Sequence, residues 1–211
     1  MDLTLYRCYT ESIMRLYSLQ DLLTQIPTSL HARALRYKTK ISAYNYVIGR
    51  LLVKDGLQNF GLDQNLEKIE LNANGKPFIP GVHFNISHSG YQVICGFSKD
   101  VEHGVDIEKI APVDFKDFDS MFTTKEWDAI KTAEDPLRSF YWFWTRKESI
   151  IKALGFTLGF LHQIELDVSL DHFVVDGKKW FLREVDIREG YLVSVCSDVL
   201  ISGIELRTYN L

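Results

Sequence analysis

The sequence has 211 residues, of which 46% are hydrophobic and 25% are charged. This balance is typical of soluble globular proteins and suits one large domain or two small ones. The net charge of -4 lacks the basic excess that accompanies nucleic-acid binding, so we expect no nucleic-acid partner. The chain opens without a signal-peptide pattern and has no apolar run near the roughly 18 residues of a membrane span. We therefore expect a cytoplasmic protein without a membrane partner.

Three cysteines stand far apart in the chain, at Cys8, Cys95 and Cys196. An odd number with wide spacing argues against a disulfide framework or a zinc site. Their neighbours are apolar or typical of strands, so we predict buried, reduced thiols.

The first long helix is predicted over residues 33–57, and the densest basic cluster of the sequence lies in or beside it. A basic cluster on a helix is most often a solvated face, so we expect at least half of these side chains to point into solvent. The cluster consists of Arg33, Arg36, Lys38, Lys40 and Arg50.

A turn signal at Gly75 precedes the strand predicted over residues 83–86, and Ser87 and His88 follow at its end. The glycine permits positive φ and a close approach of the backbone to a ligand. From residue types alone, however, a plain loop and a structural histidine are the favoured interpretations.

The chain repeats a short pattern at an offset of one hundred residues, because Gly90-Tyr91 and Gly190-Tyr191 each begin a strand-like run. Each run follows a turn signal, so each is predicted as the second strand of a hairpin. Helical patterns precede both, the second over residues 136–154. We therefore predict an α+β protein of two similar halves, residues 1–100 and 101–211, joined at the polar segment 98–104.

Two carboxylates lie in the strand predicted over residues 104–108. Alternate residues of a strand point to the same side, so Asp106 and Glu108 share one face while Val105 and Ile107 take the other. Such a pair is most often the solvated face of a half-buried strand. Downstream, the spacing of Thr123 and Glu126 predicts a capping box, which makes Glu126 a helix cap rather than a ligand.

The segment between these features, residues 111–122, contains aspartates and spaced apolar residues. It fits a short amphipathic helix docked on the core, and it fits equally well a mobile loop that contacts a partner.

The helix predicted over residues 136–154 places Trp144, Glu148 and Lys152 on one side at four-residue spacing. If this helix meets the acidic strand, oxygens of Asp106, Glu108 and Glu148 are suited to hold Mg2+, which prefers oxygen ligands. Lys152 then adds a point charge for a phosphoryl oxygen. The combination suits chemistry at a pyrophosphate.

Four segments in this order resemble the 4'-phosphopantetheinyl transferases of the surfactin-synthetase-activating (Sfp-like) type. They are Gly75-Lys76-Pro77 and the runs 83–89, 104–108 and 144–152. The resemblance implies two α+β halves related by a pseudo-twofold, with the active site in the cleft between them. It also implies coenzyme A as co-substrate, Mg2+ on Asp106, Glu108 and Glu148, and an apo carrier protein as partner. We expect the protein itself to be a monomer.

The resemblance assigns coenzyme A mainly to the first half. It implies a 3'-phosphate contact near Arg33, with Arg36 or Lys40 as helpers, although residues 44–46 replace an arginine common in the family. It makes Gly75, Lys76 and Pro77 the adenine-side wall, and it places His88 at a phosphate with Ser87 nearby. Lys147 and Lys152 add phosphate contacts from the second half.

The implied reaction moves the 4'-phosphopantetheine arm of coenzyme A to a serine of an acyl, peptidyl or related carrier protein and releases adenosine 3',5'-bisphosphate. Lys152 steadies the transferring phosphate, and Glu148 or a metal-bound water accepts the serine proton. Two other functions remain open: a magnesium-dependent hydrolase of nucleoside diphosphate compounds, and a non-catalytic coenzyme A binding module. The sequence does not identify the carrier.

Overall fold

The chain forms two compact units of mixed helix and sheet in a computed structural model that describes residues 2–72 and 75–211. The first unit contains the residues up to Val101 together with Ile201–Leu211, and the second contains Glu102–Leu200. The final segment therefore belongs with the first unit, although it follows the second along the chain.

The described residues form ten strands, six α-helices and several short 3-10 helices. The strands are β1 (Asp2–Tyr9), β2 (Glu70–Leu71), β3 (Pro77–Phe78), β4 (His83–Ser89), β5 (Gln92–Ser98), β6 (His103–Lys109), β7 (His172–Val175), β8 (Lys178–Glu184), β9 (Tyr191–Ser197) and β10 (Gly203–Thr208). The helices are α1 (Thr10–Leu16), α2 (Leu19–Leu23), α3 (His31–Leu35), α4 (Lys40–Asn59), α5 (Thr124–Thr132) and α6 (Pro136–Leu154). The 3-10 helices are Thr28–Leu30, Leu66–Lys68, Phe115–Met121 and Leu158–Gln163.

The sheet of the first unit has the strand order β10-β1-β5-β4. β5 runs antiparallel to both of its neighbours, and β10 lies parallel to β1 at the edge. The predicted hairpin is confirmed: β4 and β5 are joined by a tight turn in which Gly90 has a φ of 53°. Glycine adopts this left-handed conformation with little strain.

The helix predicted over residues 33–57 is divided in the structure, because α3 ends at Leu35 and α4 begins only after Thr39. The Thr39 hydroxyl accepts a hydrogen bond from the Ser42 backbone N–H at 3.1 Å, which caps the new helix. α4 packs on β5 and contributes apolar side chains to the core of this unit. These include Val47, Ile48, Leu51 and Leu52.

The sheet of the second unit has the order β6-β9-β8-β7, with antiparallel pairing throughout. α6 has the predicted bounds: Asp135 caps its start, Pro136 occupies the first turn, and Gly155 ends it with a φ of 72°. α6 packs on β6 and β9. A Cβ at Gly104 would lie 2.2 Å from the Ser149 carbonyl oxygen, so a glycine is needed for this close approach.

The two units repeat one topology, in which a strand is followed by a long helix and then by a hairpin whose last strand pairs with the first. That order is β1-α4-β4-β5 in the first unit and β6-α6-β8-β9 in the second. Val93 pairs with Cys8 of the first strand, and Val193 pairs with Ile107 of its counterpart. The recurrence at one hundred residues therefore marks corresponding central strands.

Segment 111–122 contains the 3-10 helix Phe115–Met121, which packs on the core rather than standing away from it. The ring centroids of Phe115 and Phe118 lie 5.3 and 5.1 Å from that of Phe140 on α6. The cysteines are buried and free, as predicted. In residues 2–72 and 75–211, no helix combines the length and apolarity that crossing a membrane requires.

Candidate active site

The acidic strand β6 lies directly against α6, and this contact buries Asp106, which is 2% exposed. Val105 and Ile107 on the opposite face are fully buried as well, while Glu108 near the strand end is half-buried. The alternation of side chains along β6 therefore separates the two carboxylates from Val105 and Ile107, as predicted. The carboxylate face is nevertheless largely enclosed, because a helix covers it.

α6 directs Glu148 and Lys152 toward that strand. The Lys152 ammonium donates a hydrogen bond to Asp106 Oδ1 at 2.5 Å and lies 3.8 Å from Glu148 Oε2. Glu148 is 9% exposed. The predicted meeting of strand and helix is thus present, and it brings two carboxylates around one ammonium group.

The electrostatics of the cluster favour protonation of Glu148. Burial raises the pKa of this carboxyl to about 7, the Asp106 charge adds to the rise, and Lys152 opposes it. Burial by itself lowers the pKa of Lys152, but Asp106 and Glu148 more than offset this and raise it above its usual value. Glu108 contributes to the same effect at longer range. The site therefore contains a charged lysine and a glutamate that titrates near neutrality.

The predicted Mg2+ ligands fit the metal by the chemistry of their donor atoms, since carboxylate oxygens are the ligands it prefers. Asp106 and Glu148 lie together, and Glu108 belongs to the same face of β6. Among the residues described, however, no three acidic, histidine or cysteine side chains are already arranged around a common point for a metal. The Lys152 ammonium lies between the two nearer carboxylates.

Lys147, predicted to contact a phosphate, is turned away from this cluster. Its side chain is fully buried, and its ammonium donates hydrogen bonds to Glu126 Oε2 at 2.5 Å and to the Met121 carbonyl at 2.9 Å. Glu126 also accepts from the backbone N–H groups of Thr123 and Leu166. The predicted capping box is confirmed, but in this conformation Lys147 is a structural residue that no phosphate can reach.

A second candidate region is a cavity of about 210 Å³ within the first unit. Three of the predicted coenzyme A residues line it, namely Arg33, Pro77 and His88. The rest of the wall is formed by Tyr37, Asn45, Tyr46, Gly49, Arg50, Phe84, Asn85 and Ile86. The described wall contains basic and aromatic residues and no Asp or Glu, so it suits an anion attached to an apolar group.

The other predicted coenzyme A residues of this unit lie outside the described cavity wall. Arg36 is exposed, and Lys40 stacks on the Tyr44 ring at 5.7 Å beside a different cavity. Ser87 is 6% exposed and, by strand alternation, points to the opposite face from His88. Gly75 and Lys76 lie in the turn before Pro77, where Gly75 has a φ of 79° and the Lys76 N–H donates to Asn72 Oδ1.

Two cavity residues, Tyr46 and Arg50, were not among the predicted ligands. The Arg50 guanidinium carbon lies 4.9 Å from the centre of the Tyr46 ring, and that of Arg33 lies 5.5 Å from it. The four-residue spacing of Tyr46 and Arg50 on a predicted helix was the available signal, because it places both side chains on one face.

Comparison with known proteins identifies relatives of this chain. The family model of the 4'-phosphopantetheinyl transferase superfamily matches residues 102–196, which lie within the second unit. A 4'-phosphopantetheinyl transferase of Bacillus subtilis is 31% identical over 83% of this chain and 84% of its own length. The 4'-phosphopantetheinyl transferase gsp of Aneurinibacillus migulanus is 33% identical over 77% of this chain and 72% of its own.

A third relative, the 4'-phosphopantetheinyl transferase Sfp of Bacillus subtilis strain 168, is 29% identical over 77% of both chains. The matched stretches are long enough to extend into both units, and the family model spans the positions of Asp106, Glu148 and Lys152. The chain belongs to the 4'-phosphopantetheinyl transferase superfamily.

Proposed function

We propose that the protein transfers the 4'-phosphopantetheine arm of coenzyme A to a serine hydroxyl of an apo carrier protein. The observation that supports this most directly is the cluster of Asp106, Glu148 and Lys152, two carboxylates around one ammonium, in the part of the chain that matches the family model. Such a cluster suits the polyanionic pyrophosphate, whose cleavage requires charge stabilisation.

The two units then have different tasks. The cavity of the first unit takes the adenosine end of coenzyme A, with Pro77 at the adenine, Arg33 at the 3'-phosphate and His88 at a phosphate. The turn of Gly75 and Lys76 supports the adenine wall from outside the cavity, and Ser87 supports the strand that presents His88. The second unit supplies the catalytic groups.

In the transfer step, the serine oxygen attacks the phosphorus that carries the pantetheine arm. The bond from this phosphorus to the bridging oxygen breaks, and adenosine 3',5'-bisphosphate leaves with that oxygen. Asp106, Glu108 and Glu148 are the residues that would hold Mg2+, which when bound offsets the negative charge of the pyrophosphate.

Lys152 is positioned to contact the transferring phosphoryl group, because its ammonium is held by Asp106 Oδ1 and faces Glu148. Glu148 Oε2 is the acceptor proposed for the serine proton. Without metal the pKa of this carboxyl is about 7, so part of it is unprotonated at neutral pH and able to accept a proton. Arg36, Lys40 and Lys147 take no part, because the first two lie off the described cavity wall and the third is buried.

A mass-shift assay tests the proposal. The protein is incubated with coenzyme A, Mg2+ and several apo carrier proteins, and the carriers are weighed by mass spectrometry. We expect the mass of one phosphopantetheine arm on at least one carrier and none on the same carrier with its acceptor serine changed to alanine. Release of adenosine 3',5'-bisphosphate without carrier loading would instead identify a hydrolase. Binding of coenzyme A with neither product would identify a binding module.

Three finer statements belong to the same proposal: the protein acts in the cytoplasm, it acts as a monomer, and Mg2+ is its metal. Size-exclusion chromatography with light scattering tests the second. Assays with chelator and then with added Mg2+ test the third, and loss of loading that Mg2+ restores is the expected result.

A further inference from the structure

The cavity of the first unit contains an excess of positive charge. Arg33 and Arg50 line it, and within the described residues neither guanidinium forms an ion pair with a carboxylate. Most buried or half-buried arginines are paired, since desolvating an unpaired charge is costly. Arg50 is half-buried and Arg33 is exposed at the rim, and two positive charges on one cavity favour an anionic ligand.

Two polar atoms at this cavity have no hydrogen-bond partner in the described part of the chain. They are Arg50 Nε and the Tyr46 hydroxyl, and both are shielded from solvent. Buried donors are nearly always hydrogen-bonded, because an unsatisfied group loses its interactions with water and gains none in return. Arg50 Nε can only donate and the Tyr46 hydroxyl can donate as well as accept, so one acceptor group satisfies both. A phosphate offers several acceptor oxygens at once.

The two side chains are held next to each other by α4. They are four residues apart, and the Arg50 guanidinium stacks on the Tyr46 ring at 4.9 Å. The ring of Tyr37 packs against the Tyr46 ring, with centroids 5.7 Å apart. The Tyr46 side chain is buried, with 6% of its surface exposed. The donors therefore stand on a rigid helix with limited side-chain freedom, which reduces the entropy lost on binding.

Another part of the cavity wall is apolar and is formed by Pro77, Phe84 and Ile86. A free inorganic anion would leave this wall without a contact. A phosphate ester of a flat, weakly polar group satisfies both parts of the wall, and a nucleotide is such a molecule.

We propose that Arg50 and Tyr46 bind the 3'-phosphate of coenzyme A and select the cofactor over its dephospho form. This inference rests on the proposed function and adds residues to it. Arg50 takes the place that Arg36 and Lys40 were expected to fill beside Arg33. The Tyr46 hydroxyl donates the second hydrogen bond to the same phosphate.

Isothermal titration calorimetry of the full chain tests the assignment without using catalysis. The probes are adenosine 3',5'-bisphosphate and adenosine 5'-monophosphate, which differ only in the 3'-phosphate. The unmodified protein should bind the bisphosphate at least tenfold more tightly. Arg50→Gln should lower this preference by about tenfold, as expected for the loss of charge-assisted hydrogen bonds. Tyr46→Phe should lower it by a smaller factor.

Arg36→Gln is the matched control, because it removes one positive charge near the cavity but outside its described wall. Its preference for the bisphosphate over the monophosphate should stay unchanged. Arg50→Lys keeps the charge and should recover part of the preference. Tyr46→Phe keeps the aromatic ring and should keep the fold. If Arg50→Gln is unstable, this variant therefore still tests whether the pair contacts the 3'-phosphate. An unchanged preference in both Arg50→Gln and Tyr46→Phe overturns the assignment.

Carrier loading with saturating coenzyme A separates this inference from the proposed function. If the unmodified protein loads a carrier and prefers the bisphosphate, but neither variant alters the preference, only the assignment of Arg50 and Tyr46 fails. If the unmodified protein binds neither nucleotide and loads no carrier, both fail.

Discussion

The two units share a topology but use their long helices in opposite ways. α4 faces its sheet with apolar side chains such as Val47 and Leu51. Arg50 on α4 and Arg33 on α3 line the cavity, and neither has a carboxylate partner in the described chain. α6 carries two lysines that pair with carboxylates of other elements, Lys152 with Asp106 on β6 and Lys147 with Glu126 on α5.

This difference shows how one fold can support two kinds of site. Paired charges within a unit hold each other in place and suit catalysis, because the groups are fixed before the substrate arrives. Unpaired charges at a cavity are completed by the ligand and suit binding. Removing a paired charge should therefore change the stability or the site of the protein itself. Removing an unpaired charge should weaken only the complex with the ligand.

The largest effect is expected for the buried pair. Glu126→Ala should reduce the free energy of unfolding by about 3 to 5 kcal/mol, because it leaves Lys147 buried and uncompensated and removes a cap for the Thr123 N–H. From the sequence, only a helix cap worth up to about 1 kcal/mol was expected. Urea denaturation followed by circular dichroism provides the measurement.

The double variant Glu126→Gln with Lys147→Met is the control, since it removes both charges and should recover much of the loss. A cost of about 1 kcal/mol for Glu126→Ala alone would mean that the pair contributes no more than an ordinary cap.

The next effect concerns catalysis. Asp106→Asn should lower carrier loading on the order of 100- to 1000-fold, because it removes a charge that holds Lys152 and a predicted metal ligand. Stability should change far less, since Lys152 keeps Glu148 as a neighbour and its side chain is 27% exposed. Initial rates of loading and thermal unfolding measure the two effects separately.

Asp100→Asn, at an exposed position, is the matched control and should load carriers at the unmodified rate. Loading by Asp106→Asn at that same rate would remove Asp106 from the site.

A smaller effect should appear in the pH dependence of stability without metal. The pKa of Glu148 is about 7 in the folded protein, against 4.5 for an unperturbed glutamate, so the folded state binds the proton more tightly. The stabilisation is complete below about pH 4.5 and is lost as the pH rises through 7. Relative to the unmodified protein, Glu148→Gln should therefore gain about 3 kcal/mol between pH 4.5 and pH 8, at about 1.4 kcal/mol per pKa unit.

Chemical denaturation in the presence of chelator at both pH values gives this difference. Glu70→Gln, at an exposed position, should show no such gain. A difference between Glu148→Gln and the unmodified protein that is independent of pH would contradict the raised pKa.

The smallest effect belongs to the unpaired charges. Arg33→Gln should reduce the preference for coenzyme A over dephospho-coenzyme A by up to about tenfold, since one charge-assisted contact is lost. Its unfolding temperature should stay within error of the unmodified protein, because the exposed Arg33 has no carboxylate partner among the described residues. Equal loss of affinity for both cofactors would place Arg33 away from the 3'-phosphate.

The sequence could predict which residues share a face, because side-chain periodicity in strands and helices is local. It therefore predicted Asp106 with Glu108, Glu148 with Lys152, and the bounds of α6. Periodicity does not report what covers a face. Lys147 is adjacent to Glu148, and only packing against the capping box of α5 shows that its ammonium is buried.

Other features depend on contacts between distant segments. Gly104 was part of a recognised motif, but its closeness to the Ser149 carbonyl requires knowledge of where α6 lies. Arg50 belonged to the basic cluster, and its spacing from Tyr46 placed the two on one helix face without showing that this face borders a cavity. The distinction comes from the cavity wall, to which β4 contributes Phe84 and Ile86 from far along the chain.

The pairing of β10 with β1 has a consequence for how the protein forms during synthesis. Asp2 lies opposite Gly203, so the first sheet lacks its edge strand until the ribosome has passed the whole second unit, which is one continuous segment. Domains usually fold as their residues emerge. Here the later-made unit has all its strands before the earlier one does, so the nascent chain carries an open β1 edge throughout elongation. Such edges readily pair with other strands, which makes this a stage at which chaperone contact would be useful.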